Sequence, residues 1–296
     1  MADNSVNSET VARRQLSREL RKLRLESGIS AEDAAEELGI SLSTMSRIEN
    51  GKTNVDVAHA KTMCNLYGRP ELGDALAALA KASKTRSWFR QYSDVIPEWF
   101  DVYIGLEQVA ASFRWYEAQL IPGILQTETY ARTVIRTDHP DDSDDEIDRR
   151  VQLRLKRQAL LTRQASLPQW HIILDEAVLH RPVGGESVMR EQCNRLLEVA
   201  ELPNVTLGVI PFGFGMHTGV TSGPFVLLDF PTNGSNGQAP EPTTVYVEGF
   251  TGALYTVEKN EVDKYRAAFE GMQRAALNPG DTKIAIARAV KEMKKK

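Results

Sequence analysis

The stretch that most constrains the fold is residues 29–51, ISAEDAAEELGISLSTMSRIENG, patterned as two short helices joined at a glycine. Ser30 is placed to cap the first helix, with Asp33 in its first turn, and Ala34, Ala35 and Leu38 fall at helical spacing to form one buried stripe. Gly39 stands where the chain has to reverse, because a residue without Cβ takes the left-handed conformation at least cost. Ile40 plugs the corner. Ser41 caps a second helix, in which Met45 and Ile48 face inward while Leu42, Ser43, Ser46 and Arg47 lie on the opposite, solvent-facing side. Small hydroxyls and one arginine on an exposed helix face suit the floor of a DNA major groove, since bulk near the backbone would block entry. The spacing therefore points to a helix-turn-helix.

The flanking sequence extends this unit. Residues 11–26 read as a helix with Leu16, Leu20 and Leu23 inward, carrying Arg13, Arg14, Arg18, Arg21, Lys22 and Arg24. Against Glu19 and Glu26, these six basic residues leave the helix at +4. Alone, such a run would be a solvated amphipathic face; beside a helix-turn-helix it lies near phosphates, where each neutralised charge strengthens binding in a salt-dependent way. Gly51, Lys52 and Thr53 form the exit from the second helix. Residues 55–67 resume a helical pattern with Ala58, Met63 and Leu66 inward, and Gly68 and Pro70 end it. His59 has no companion ligand at metal spacing, and residues 72–82 close the small domain with an Ala/Leu helix.

SLSTMSRIENGK followed by an Ala-rich helix resembles the lambda-repressor/Cro (XRE) type of helix-turn-helix, over residues 16–79. The resemblance implies an all-α five-helix DNA-binding domain, with Arg24 of the first helix paired to Glu49. It departs at Ala31, where the family usually has a phosphate-holding glutamine, leaving backbone N–H groups at the helix start as phosphate donors. On this reading Ser43, Ser46 and Arg47 contact base edges and Leu42 a thymine methyl, while Arg21, Lys22, Asn50 and Lys52 anchor phosphates.

At 296 residues the chain is long enough for two domains, and a formal net charge of −4 excludes indiscriminate coating of nucleic acid. Cys64 and Cys193 lie far apart among helix-patterned residues, so a reducing cytoplasm without disulfides is expected. No apolar run spans a bilayer and the N-terminus is polar, which predicts a soluble protein that is not exported. The expected division is a flexible tail at 1–10, the DNA-binding domain at 11–82, a linker at 83–97, an α+β domain at 98–280 and a basic C-terminal helix at 281–296. In the linker, KTRSWFRQYSDVIP mixes charges with Trp88, Phe89 and Tyr92. Single-strand stacking is one use of such a mixture, and a connector whose aromatics dock on the next domain is the favoured one.

Apolar or alternating runs at 113–119, 169–174, 205–210, 225–230, 243–248 and 253–257 predict strands of one mainly antiparallel sheet. Helical patterns cover 127–137, 148–164, 187–201, 259–276 and a final segment from 281, and the Asn/Gly/Pro-rich segment 233–242 reads as a mobile hinge. Residues 138–148 hold seven acids without the glycine and spaced oxygens of a calcium loop, so a solvated acidic loop is expected there. The arginine-rich helix after it is either a second DNA-facing surface or a partner for the acidic loop or for another protein.

No catalytic constellation emerges. His139, His171, His180 and His217 form no ligand motif, the glycines of GFGMHTG lack the strand-to-helix setting of a phosphate loop, and Ser222 has no lysine partner for self-cleavage. Neither an enzyme nor a cofactor is expected. YIGLEQVAASFRWYEAQLIPGILQTETYAR and YVEGFTGALYTVEKNEVDKYRAAF resemble the C-terminal domain of WhiJ-like, antitoxin-like regulators of actinobacteria. That resemblance implies a transcription regulator; together with the helix-turn-helix, the expectation is binding to double-stranded DNA at a palindromic operator as a homodimer. Its second domain would dimerise, bind a partner such as a small acidic BldB-like protein, or sense a small molecule in a pocket lined by residues 212–214.

Overall fold

The computed structural model describes residues 8–73, 76–77, 80, 88–163, 166–231 and 242–293. Two units result, one formed by residues 1–91, 97–108 and 232–241, the other by 92–96, 109–231 and 242–296. The expected tail (residues 1–7 of it), part of the linker (83–87), nearly all of the hinge at 233–242 and Lys294–Lys296 lie outside the described residues.

Among the described residues the first unit is helical and has no strand: α1 (Ser8–Ser27), α2 (Ala31–Glu37), α3 (Leu42–Glu49), α4 (Val57–Leu66) and α5 (Glu98–Val109). Residues 8–10, expected in the tail, are already helical. Leu16, Leu20 and Leu23 of α1 pack with Ala34, Ala35, Met45, Ile48, Met63 and Cys64, so one core collects a stripe from each of the first four helices. In α4 the inward stripe is Ala60, Met63 and Cys64; Ala58, expected inward, is exposed, because the helix starts after the cap Asp56 and this sets its rotation. The expected fifth helix at 72–82 lies partly outside the described residues, and Leu76 and Ala80 join the same core. The helix α5 had no counterpart in the sequence reading and falls largely with this unit.

The second unit holds a six-stranded sheet in the order β3-β2-β1-β4-β5-β6. Its strands are β1 (Ser112–Glu117), β2 (Gln169–Asp175), β3 (Val205–Ile210), β4 (Phe225–Asp229), β5 (Thr244–Gly249) and β6 (Gly252–Thr256). The β1–β4, β4–β5 and β5–β6 junctions are antiparallel, whereas β1–β2 and β2–β3 are parallel. Parallel neighbours need long crossovers. These are supplied by α6 (Glu128–Asp138) and α7 (Asp144–Arg157), and then by α8 (Ala177–His180) and α9 (Glu186–Val199). After β3 come α10 (Thr218–Ser222) and the antiparallel strands, and α11 (Lys259–Ala275) and α12 (Pro279–Glu292) close the chain.

Alternation along the strands sends Tyr116, Ile173, Ile210, Phe225, Leu227 and Val245 to one face, where Val262, Phe269 and Met272 of α11 cover them. On β1 and β2, Phe113 and Trp170 stack at 3.9 Å between ring centroids. The arginine-rich helix α7 starts at Asp144, earlier than expected, because Ser143 and Glu146 form a reciprocal capping box and the acids Asp144, Asp145 and Glu146 occupy its first turn. The final helix is integral to this unit: Thr282 Oγ1 accepts from Val209 N–H of β3 at 3.2 Å. No helix among the described residues is long and apolar enough to cross a membrane.

Candidate nucleic-acid interface

The turn between α2 and α3 is built by its caps. Ser30 Oγ accepts from Asp33 N–H at 3.0 Å and Ser41 Oγ from Thr44 N–H at 3.1 Å, satisfying an orphan donor at the start of each helix. Gly39 has φ +64°, its N–H reaches Glu36 O at 3.0 Å, and Ile40 N–H reaches Ala35 O at 2.9 Å. This 6→1 and 5→2 pairing is the Schellman ending, which a glycine in the left-handed region permits. Gly51, at φ +67°, ends α3 in the same way: its N–H reaches Ile48 O at 3.0 Å, and Lys52 N–H reaches Arg47 O at 2.8 Å.

These two endings clamp α3 between buried anchors, Met45 at 0 % and Ile48 at 3 % exposure, and turn its other side outward. Leu42, Ser43, Ser46, Arg47 and Asn50 are all exposed there. Leu42, Ser43, Ser46 and Asn50 line an open hollow of about 510 Å³, together with Glu49, Arg21 of α1 and Ala31 of α2. Arg47 is absent from that lining. At 100° per residue it stands on the far flank of the exposed face, next to Ser43.

The polar atoms on this face are already oriented. Asn50 Nδ2 donates to Ser46 O at 2.8 Å and to Ser46 Oγ at 3.3 Å. The Ser46 hydroxyl thus accepts within the protein and has its own proton free to donate. Asn50, expected at a phosphate, has its amide donors engaged by Ser46 and has to rotate before it can meet one. Ser43 Oγ lies 2.9 Å from Ser41 Oγ.

Arg24 and Glu49 come together as a fork-to-fork pair. Arg24 Nε donates to Glu49 Oε1 at 2.6 Å and a terminal nitrogen donates to Oε2 at 3.0 Å, while another terminal nitrogen reaches Ile29 O at 2.8 Å. Arg24 is 9 % exposed. The hydrogen bond to Glu49 raises the Arg24 guanidinium above its ordinary value, and burial pushes the neighbouring Tyr67 phenol up. The pair ties α1 to the end of α3 and so fixes how the outward face is presented.

Of the expected phosphate anchors, Arg21, Lys22 and Lys52 are exposed. Lys22 lies 3.9 Å from Glu26. A second hollow joins Arg18 and Arg21 with Ser17, Glu49, Asn50 and Gly51. Arg18 belongs to the basic run read from the sequence but was not placed among the phosphate anchors, although its i,i+3 spacing from Arg21 on α1 puts both on one face.

In the second unit, Phe212 and Phe214 are 60 % and 50 % exposed, so the loop expected to line a pocket faces outward. The His217 ring stands 3.5 Å from Asp175 and accepts from Gly219 N–H through Nδ1. Its stretch runs into the five-residue helix α10 before β4 begins.

The geometry of the first unit is that of a helix-turn-helix protein, and a helix-turn-helix domain family matches residues 15–79. Over most of its length, at residues 100–288, the chain belongs to a family described as a domain of unknown function, DUF5753. No curated protein and no solved structure matches it.

Proposed function

We propose that the protein is a sequence-specific transcription regulator of the XRE type, which inserts α3 into the major groove of double-stranded DNA, and that it is not an enzyme. The observation that carries this reading is the outward face of α3: Leu42, Ser43 and Ser46 open onto a hollow, Arg47 flanks it, and Arg21 stands on its rim. Ser43, Ser46 and Arg47 read base edges, and Leu42 packs against a thymine methyl. Arg21, Lys22 and Lys52 hold phosphates, with Asn50 joining them on rotation.

The protein acts in the cytoplasm as a homodimer on a palindromic operator, and the WhiJ-like body dimerises and receives the signal. Phe212, Phe214, Met216 and Val220, each at least half exposed, favour protein contact over a small-molecule pocket for that body. Following the WhiJ-like resemblance, a small acidic BldB-like protein is the candidate partner; its addition should release the operator.

Mapping of bound sites across the genome tests the reading. Palindromic sites with half-sites one helical turn apart are expected, and binding without sequence preference would end it.

A further inference from the structure

Three hydroxyls inside helices of this chain give their protons to the carbonyl one turn back: Thr62 to Ala58 O at 3.1 Å, Thr133 to Thr129 O at 3.0 Å and Thr137 to Thr133 O at 2.8 Å. Ser46, in the middle of α3, makes no such bond to Leu42 among the described residues. Its oxygen instead accepts from Asn50 Nδ2 at 3.3 Å. The same nitrogen donates to Ser46 O at 2.8 Å. A carbonyl only accepts, so the end of the Asn50 amide turned toward Ser46 is its NH2 group, and the direction of both bonds is set.

Ser43 offers the contrast. Its Oγ stands 2.9 Å from Ser41 Oγ, a second hydroxyl, so either can give the proton and Ser43 can still donate or accept. A serine in that condition meets any base edge. Ser46 is not in that condition. A hydroxyl whose oxygen already accepts is a stronger donor and a poorer acceptor, because linked hydrogen bonds polarise one another. Leu42, Ser46 and Asn50 follow each other at four-residue intervals, in one row along the hollow beside α3, so the free O–H lies on the side offered to DNA.

We propose that Asn50 is a positioning residue that holds the Ser46 hydroxyl as a hydrogen-bond donor, so that Ser46 takes a base edge presenting an acceptor and discriminates against cytosine. In the major groove cytosine presents only the N4 amino group, which donates, whereas thymine presents O4 and guanine O6 and N7. The inference rests on the major-groove reading of α3 and deepens it by naming the base chemistry at one position. It takes Asn50 as the structure shows it, before any rotation onto a phosphate.

The test selects bound sequences from a randomised duplex pool with the full chain, then measures affinity for the selected site with each base in turn. The wild type, Ser46→Ala, Asn50→Ala and Asn50→Asp are compared. Ser46→Ala marks the position that Ser46 reads, as the one where base preference changes. There the wild type should bind cytosine about three- to tenfold more weakly than uracil, which keeps the O4 acceptor of thymine without the methyl that Leu42 also meets. Asn50→Ala should erase most of that difference. Asn50→Asp should reverse it, because a carboxylate only accepts: Ser46 then gives its proton to Asp and turns its lone pairs to the base. Once Ser46 is alanine, neither change at Asn50 should alter base preference.

Ser46 and Asn50 are exposed, so the fold should survive these changes, and Asn50→Ala decides alone should Asn50→Asp not fold. An Asn50→Ala protein that binds every sequence more weakly and keeps its bias against cytosine would place Asn50 on a phosphate and overturn the proposal. A folded Asn50→Asp without the reversal, or a Ser46→Ala protein with wild-type preference at every position, would also overturn it. In all three cases the regulator reading stands. A wild type that selects no sequence at all removes that reading and this one with it.

Discussion

Two helices in this chain are dense in arginine, and they put it to different uses. On α1, Arg21 has no carboxylate partner among the described residues and stands on the rim of the hollow beside α3. On α7, two arginines meet carboxylates, Arg149 reaching Asp94 at 2.5 Å and Arg150 reaching Asp142 at 2.8 Å, while Arg154 is held by the neutral Gln126 at 2.8 Å. Arg132 and Arg136 of the neighbouring α6 pair in turn with Asp148 and Asp144 of α7. Arg149 and Lys156 also lie over the Tyr92 ring, at 5.6 and 5.0 Å. A basic run therefore acquires its meaning from its counter-charges: satisfied within the fold it is a fastening, unsatisfied it is a surface for an outside anion.

The comparison breaks most readily at Arg24 of α1, which is fastened to Glu49. Glu49→Ala strands Arg24, which is nearly buried, and should cost about 3 to 5 kcal/mol, because one main-chain acceptor at Ile29 remains where a carboxylate fork had been. Thermal unfolding of the first unit would show it as a large drop, and an unchanged melting temperature would mean that the pair does not fix α1 to α3. Arg47→Ala is next in size. It should lower discrimination at one base position by about 1 to 3 kcal/mol while leaving the fold intact. Equal losses on operator and random DNA would reassign Arg47 to the backbone.

Arg21→Ala and Lys52→Ala sharpen the contrast with α7. Each should weaken binding to all sequences alike and lower the slope of affinity against salt by about 1. A shift in sequence preference with an unchanged slope would place them at bases instead.

The sequence made the reading head legible because its determinants are local. Ser30, Gly39, Ser41 and Gly51 act on residues within one turn, so caps and left-handed endings could be placed from spacing alone. The strand at 205–210 was equally clear, being bounded by turn residues and apolar within. What stayed hidden was set by distance. Asp94 lies 55 residues from Arg149, and nothing in either segment announces the other. The sheet is mainly antiparallel as expected, but its two parallel junctions could not be located in advance, since alternation shows which residues share a face but not which strand lies alongside. Two local signals were also present and passed over. Ser143-x-x-Glu146 is a capping box that the surrounding acids disguised as loop, and α5 mixes Trp99, Phe100, Tyr103 and Ile104 with few polar residues, so it shows little periodicity.

The smallest expected effect tests the fastening itself. Arg149 and Asp94 are 39 % and 57 % exposed, so their pair is screened by water and is worth about 0 to 1 kcal/mol. Arg149→Ala should leave DNA affinity and its salt slope untouched, in contrast to Arg21→Ala. The hydrogen bond from Arg149 holds the Asp94 carboxyl below its usual range. A carboxyl with a lowered folded-state pKa adds stability above its unfolded value and loses that stability as pH falls through the folded one. Wild type and Arg149→Ala should therefore differ slightly in unfolding free energy at neutral pH and converge in acid. A variant that lost DNA affinity while keeping this small, acid-erased difference would show α7 serving as both fastening and surface, and the division between the two helices would no longer hold.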